Sequence, residues 1–188
     1  MAKTIKKATG TLKFTLSLAL CILFRMASIP LPNIEPVMTF ILPLSKKYGK
    51  HLAFLFGATS IIALDLVMNR AGLWTIYTAL AYGAIGAAAT SFFKKPKTSR
   101  ARYVGLALTG TLFYDAVTAY FFGLQFNQPL LVTIMGQIPF TFYHLIGNIA
   151  LVGLFSPLVE KHVMNNPALN LDLHKTIQKT HLFLTSRF

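Results

Sequence analysis

Acidic side chains are scarce in this chain: 5 Asp and Glu stand against 18 Lys and Arg in 188 residues. Charged residues of either sign make up 12%, about half the share of a typical soluble domain, while 54% are apolar. A soluble globular enzyme is therefore a poor match, and a chain this apolar is not intrinsically disordered. Cysteine is nearly absent. With Cys21 alone there is no intrachain disulfide and no Cys-based metal cluster. Common catalytic motifs are missing too: no GxxxxGKS or GxxxxGKT loop to hold nucleotide phosphates, no GxSxG, no HExxH and no glycine-rich dinucleotide loop. His51, His144, His162, His174 and His181 are scattered without metal-ligand spacing. The expectation is a protein that is not an enzyme, holds no cofactor or metal, and has no ATP-hydrolysing site of its own.

What is present is long apolar sequence in six blocks, at about 12–29, 37–44, 51–68, 73–93, 103–124 and 130–158. Most have the roughly 20 residues that a helix needs to cross a bilayer. The basic residues gather between blocks. Lys3, Lys6, Lys7 and Lys13 come first, Lys46, Lys47 and Lys50 follow the second block, and Lys94, Lys95, Lys97, Arg100 and Arg102 follow the fourth. The tail is basic again, whereas the first, third and fifth connections carry only Arg70. Basic connections are retained on the cytoplasmic side of a membrane. The charge thus predicts a topology and a lipid environment, and no nucleic-acid partner.

The reading is an all-α integral membrane protein of the cell (inner or plasma) membrane, a bundle of six transmembrane helices with N- and C-termini cytoplasmic and the second helix short. It divides into a basic cytoplasmic N-terminus (1–11), a six-helix membrane domain (12–160) and a cytoplasmic tail (161–188). Val37 to Leu44 spans only if its helix begins near Glu35 and runs into Lys46 to Tyr48; a re-entrant segment fits as well. In the fourth block Ala79, Gly83 and Ala87 recur every four residues. Such a stripe suits close helix packing inside the bundle or docking on a partner. The leucines between Leu169 and Leu184 suit a short amphipathic helix on the inner surface or a disordered tail.

Polar groups within hydrocarbon are expensive, so each needs a partner or a task. Asp65 lies one turn before Asn69. Asp115 sits midway along the fifth block with Thr111 and Thr118 to either side. Gln137, Thr141, His144 and Asn148 recur at i, i+4, i+7 and i+11, which makes one polar stripe on the sixth. Pairing of Arg25 with Glu35 or Asp65, and of Asp115 with His144 or Asn148, would remove most of the cost. The same groups also suit a pocket. Arg25, Glu35, Asp65, Asn69, Arg70, Trp74, Tyr77, Tyr120, Gln125, Asn127 and Gln128 all belong at outer helix ends, where Trp and Tyr serve either as stacking surfaces or as interfacial anchors.

Several strings resemble a known family. Pro32-Asn33-Ile34-Glu35-Pro36-Val37 closes the first outer loop, and Gly72-Leu73-Trp74-Thr75 through Ala81-Tyr82-Gly83 follows the helix bearing Asp65. Gly136-Gln137-Ile138-Pro139 and His144-Leu145-Ile146-Gly147-Asn148 lie in the sixth block. With six short helices over about Leu12 to Glu160, this resembles the substrate-binding S component of an energy-coupling factor (ECF) transporter. The resemblance implies capture of a vitamin or similar micronutrient at the outer face, with energy from a transmembrane coupling subunit and two cytoplasmic ATPases. The residues marked for solute binding, some by this resemblance and the others by their polar placement, are Asn33, Glu35, Asp65, Asn69, Arg70, Trp74, Tyr77, Asp115, Gln125, Asn127, Gln137, His144 and Asn148. One departure stands out. The alanines spaced by four on the family's first helix are replaced here by Ser17 and Cys21 with an isolated Ala19, which makes the Ala79, Gly83, Ala87 stripe an alternative docking face. Two further readings fit the same features: a proton- or ion-driven secondary transporter with Asp115 and His144 as relay, and a membrane assembly protein without a solute.

Overall fold

A computed structural model describes residues 2–27, 34–93 and 99–170, which are helical with no strand among them. Six helices follow one another: α1 (Ala2–Ala27), α2 (Val37–Tyr48), α3 (Lys50–Val67), α4 (Leu73–Phe92), α5 (Arg100–Gln125) and α6 (Leu130–Val159). A π-helical turn, Glu160–Met164, extends α6, and a single 3-10 turn, Pro167–Leu169, follows. Helices from α2 to α6 coincide closely with the apolar blocks. The difference lies in α1, which begins at Ala2, so the lysine-rich start continues the helix instead of forming a separate arm. Lysine and alanine are good helix formers, and charge clustering alone does not end a helix. Residues 28–33, which include Asn33, and residues 171–188 of the tail lie outside the described residues.

Three segments are long and apolar enough to cross a membrane among the described residues: Lys50–Val67, Arg100–Gln125 and Leu130–Met164. α4 has 20 residues and no charged side chain, about 30 Å of helix. α2 differs in kind. Its 12 residues reach only about 18 Å. Every side chain from Val37 to Ser45 is buried, and the helix packs against α1, α3, α4 and α6 at the centre of the core.

Local chemistry sets the helix ends. Gly49 alone separates α2 from α3, at φ +83°, where a side chain would be strained. Asn69 and Asn127 close α3 and α5 in the left-handed region, at φ 50° and 51°, which Asn tolerates better than most residues. Ser99 caps α5 by accepting from the Arg102 N–H. The Gly72 N–H donates to the Thr75 hydroxyl at the start of α4, 3.1 Å away.

Side-chain contacts fix the helix directions. Lys46 at the end of α2 bonds Glu160, as does the Tyr103 hydroxyl near the start of α5 at 2.8 Å. Lys13, early in α1, donates to the carbonyls of Met164 at 2.8 Å and Asn166 at 3.1 Å. At the opposite end, Arg25 meets Glu35, Asp65 meets Arg70, and Tyr77 of α4 meets Gln125 of α5. Successive helices therefore alternate in direction, and Lys13, Lys46 and Lys47 share one end with Glu160 and Asn165.

The closest helix approach is between α3 and α4. A Cβ on Gly57 would stand 2.5 Å from the Tyr82 carbonyl oxygen, and one on Gly86 2.5 Å from that of Ala53. Gly83 packs under the Phe54 ring, and Ala79 is buried. Within the small-residue stripe of α4, Gly83 is thus covered by α3. Ser17 and Cys21 of α1 are likewise wholly buried.

The Lys13 ammonium is itself buried and held by two carbonyls. Lys13→Met keeps the stem and removes the donor. It should lower stability by about 2 kcal/mol, the scale of a lost charged hydrogen bond, as a reduced Tm in detergent. An unchanged Tm would show that this contact holds nothing together.

Candidate solute site

Opposite the lysine-rich end, α3, α4 and α5 enclose a cavity of about 340 Å³ lined by Glu35, Ile61, Asp65, Arg70, Trp74, Thr78 and Tyr114. Four of its residues, Glu35, Asp65, Arg70 and Trp74, are among those the sequence marks for solute binding. Trp74, Thr78 and Tyr114 also border a larger cleft of about 650 Å³ between α4, α5 and α6. Phe122, Phe126 and Phe140 add further aromatic surface, with Gln128 and Gln137 among its polar edges. The two spaces meet at those three shared side chains.

The charges at the polar end are paired with each other. Asp65 is nearly buried, with Oδ1 2.9 Å from Arg70 Nε and Oδ2 accepting from the Thr75 hydroxyl at 2.6 Å. The Arg70 N–H donates to the Asp65 carbonyl, which folds the α3–α4 turn back over the carboxylate. Glu35 pairs with Arg25 at 3.4 Å through Oε1 and accepts the Tyr82 hydroxyl at 2.6 Å through Oε2. Arg25 also donates to the Ile34 carbonyl at 2.5 Å. Burial pushes the Glu35 carboxyl up, but its neighbours, Arg25 foremost, outweigh it and hold the group below the usual carboxylate range. Two anions and two cations therefore sum to zero, with all four carboxylate oxygens engaged. What remains for a visitor is the outer edge of Arg70, which is 43% exposed, and the aromatic faces.

Trp74 is placed by Gly72. A Cβ there would fall 2.7 Å from the indole ring, so the side chain folds across the glycine at the start of α4. Thr78, one turn on, donates its hydroxyl to the Trp74 carbonyl at 2.7 Å. The Tyr114 ring packs against Tyr82 at a 41° tilt and 4.4 Å centroid distance, and Tyr82 in turn bonds Glu35.

A second polar group lies deeper, between α5 and α6. His144 Nδ1 is 2.7 Å from Asp115 Oδ1, and Asn148 donates to the Thr111 hydroxyl at 2.9 Å. All four side chains are essentially unexposed. Asp115 thus finds His144 and Arg25 finds Glu35, one from each pair of partners open in the sequence. The Tyr114 ring, edge-on to His144 at 5.5 Å, stands between this group and the cavity.

The remaining sequence-marked residues take other places. Tyr77 and Gln137 line the large cleft. Gln125 accepts from the Tyr77 hydroxyl at 3.2 Å and faces a separate groove between α4 and α5. Asn69 and Asn127 are exposed helix-ending residues and border none of these spaces. Sequence reasoning passed over Thr75, Thr78 and Tyr114 as site residues. A threonine three residues after Gly72 was the available signal for Thr75, since it reads as a helix start. No protein family, curated protein or solved structure matches the chain.

Proposed function

We propose that this chain is the solute-capture subunit of an ATP-driven importer of the energy-coupling factor type. On this reading it crosses the cell membrane as a six-helix bundle with both termini cytoplasmic, and α2 is enclosed by its neighbours. A separate transmembrane coupling subunit and two cytoplasmic ATPases supply the energy. The observation that carries the reading is the meeting of Glu35, Asp65, Arg70 and Trp74 in one cavity that continues into an aromatic cleft. Concave, mostly apolar spaces with a few converging polar groups are the usual form of a small-molecule site.

The chemistry of the lining narrows the solute. Because the four charges cancel in pairs, a charged ligand would bring an unbalanced charge into a partly buried space. A net-neutral molecule with a conjugated ring suits the faces of Trp74 and Tyr114, and a carbonyl edge suits the free side of Arg70. A vitamin or nucleobase-like compound has that form.

The test is mass spectrometry of small molecules released by denaturing the detergent-purified protein. One stoichiometric organic compound is expected, since a nanomolar Kd corresponds to about 12 kcal/mol and survives purification. Adding that compound to stripped protein should change the emission of Trp74, the one tryptophan in the chain. Protein that emerges empty from repeated preparations in rich medium would overturn solute capture.

A further inference from the structure

The large cleft beside the solute cavity is built from three helix faces. Tyr114, Thr118, Phe122 and Phe126 follow one another every four residues along α5, and Val132, Gly136 and Phe140 do the same along α6. Trp74 and Thr78 come from α4. α4 packs on α5 and α5 on α6, whereas α4 and α6 share no extensive contact, so α5 lies between them. The stripe on α5 covers about 18 Å of helix. Tyr114, at its cavity end, is 8% exposed and Phe126, at its far end, 49%. The cleft is therefore deep beside the cavity and open away from it.

No charged side chain borders this cleft among the described residues, and four of its five hydroxyls are engaged within the protein. Thr78 donates to the Trp74 carbonyl at 2.7 Å, Thr118 to the Tyr114 carbonyl at 2.8 Å, Thr133 to the Pro129 carbonyl at 3.3 Å, and Tyr77 to Gln125 at 3.2 Å. The fifth, on Tyr114, stands where the cleft joins the cavity. A polar group carried along the cleft loses water and finds few donors, which is costly. An apolar group gains about fourfold in affinity for each methylene it buries. Gly136 adds a second observation. Glycine inside a helix weakens it. Close packing requires it at Gly57 and Gly86, but a Cβ on Gly136 would meet nothing within 4 Å. What the missing side chain does here is leave the middle of the cleft open.

Taking the chain as a solute-capture subunit, on which this depends, we propose that the solute is an amphiphile. Its neutral, ring-bearing head occupies the cavity beside Arg70 and Trp74, and its hydrocarbon tail lies along the cleft from Tyr114 toward Phe126. Trp74, Thr78 and Tyr114 border both spaces, so one molecule reaches from one into the other. A wholly polar vitamin would fill the 340 Å³ cavity and leave the adjoining 650 Å³ without a complementary surface. Phe122, Val132 and Phe140 border the cleft and are exposed, so on the same membrane reading the tail enters from the bilayer without crossing water.

The experiment denatures full-length, detergent-purified protein, extracts it between chloroform and water, and analyses both layers by mass spectrometry for the wild type, Gly136→Phe and Gly105→Phe. The expected result is one stoichiometric compound in the chloroform layer, uncharged, with an aromatic ring and a hydrocarbon chain among its fragments. Gly136→Phe fills the cleft and should lower retention of that compound roughly tenfold or more, since about two methylenes displaced from the cleft already cost that much affinity. Gly105→Phe also places its side chain in open space, but borders no part of the cleft, and should retain the compound. The wild-type extraction decides the class of compound even if a variant does not fold. A stoichiometric compound that stays in the aqueous layer would overturn the tail and leave solute capture standing, whereas protein empty in both layers would overturn solute capture itself. A stoichiometric phospholipid in the chloroform layer would overturn the ring-bearing head and assign the cleft to the bilayer. Wild-type retention in Gly136→Phe would also overturn the proposal.

Discussion

On the proposed solute-capture function, Asp65→Ala should emerge from purification without a bound compound, and it should melt roughly 5 to 10 °C lower than the wild type. The carboxylate is nearly buried and both its oxygens are engaged, one by Arg70 and one by the Thr75 hydroxyl. Its removal leaves a buried hydroxyl without its acceptor and frees the α3–α4 turn from its anchor. The Arg70 contribution is discounted because that side chain is 43% exposed and solvent screens it. Most of the cost therefore comes from Thr75 and the lost charge-assisted bond, about 2 to 3 kcal/mol, which corresponds to the stated shift for a chain of this size. Binding fails for a different reason. Asp65 has no free oxygen to offer a solute, so it acts by holding Arg70 and the start of α4, with Trp74 on it, in place. Asp65→Asn separates the two effects: one oxygen still accepts, while the amide opposes a donor. Compound retention at the wild-type level in both variants would remove Asp65 from the site.

Gly57→Ala should rank with Gly86→Ala among the most destabilising single-methyl changes in the bundle. The added Cβ would meet the Tyr82 carbonyl oxygen at 2.5 Å, and backbone has no rotamer by which to move aside. α3 and α4 must separate, at a cost of about 3 kcal/mol or more, the upper part of the overpacking range. The displacement passes to Tyr82, and through its 2.6 Å hydrogen bond to Glu35. Gly105→Ala provides the contrast, since a Cβ there meets nothing within 4 Å. It should raise stability by up to about 1 kcal/mol through helix propensity alone. Equal Tm for the two variants would show that the close approach of α3 and α4 is not what holds them.

The helices from α2 to α6 were legible in the sequence because apolar runs and the basic or Pro- and Asn-bearing breaks between them set the same limits. α6, for example, runs to Val159 where the apolar block stops at 158. The start of α1 was not, since Lys3, Lys6 and Lys7 interrupt hydropathy without interrupting a helix. The polar residues were legible as a set but not in their roles. Asp65 stands out by charge, yet nothing local reveals that Thr75 and Arg70 saturate it. Asn69 and Asn127 carry the same side chain as Asn148. Only their positions, at left-handed helix ends and in the buried core respectively, tell a turn former from a hydrogen-bonding core residue. Tyr114 has no distinguishing pattern, and it gains its place because α4, α5 and the loop before α2 converge on it.

A helix that shows no side to its surroundings has to be enclosed by segments made after it. α2 is in that position, with Val37 to Ser45 buried, and α3, α4 and α6 all follow it in the chain. On the proposed six-helix membrane topology, it is among the first segments to enter the membrane and the last to reach its final surroundings. Its apolar side chains tolerate lipid in the interval. Lys46 and Lys47, by contrast, wait for Glu160 and Asn165, which lie 114 and 118 residues downstream. Assembly therefore finishes at the C-terminal end of α6, and a chain stopped short of Glu160 leaves the middle of the bundle unfastened.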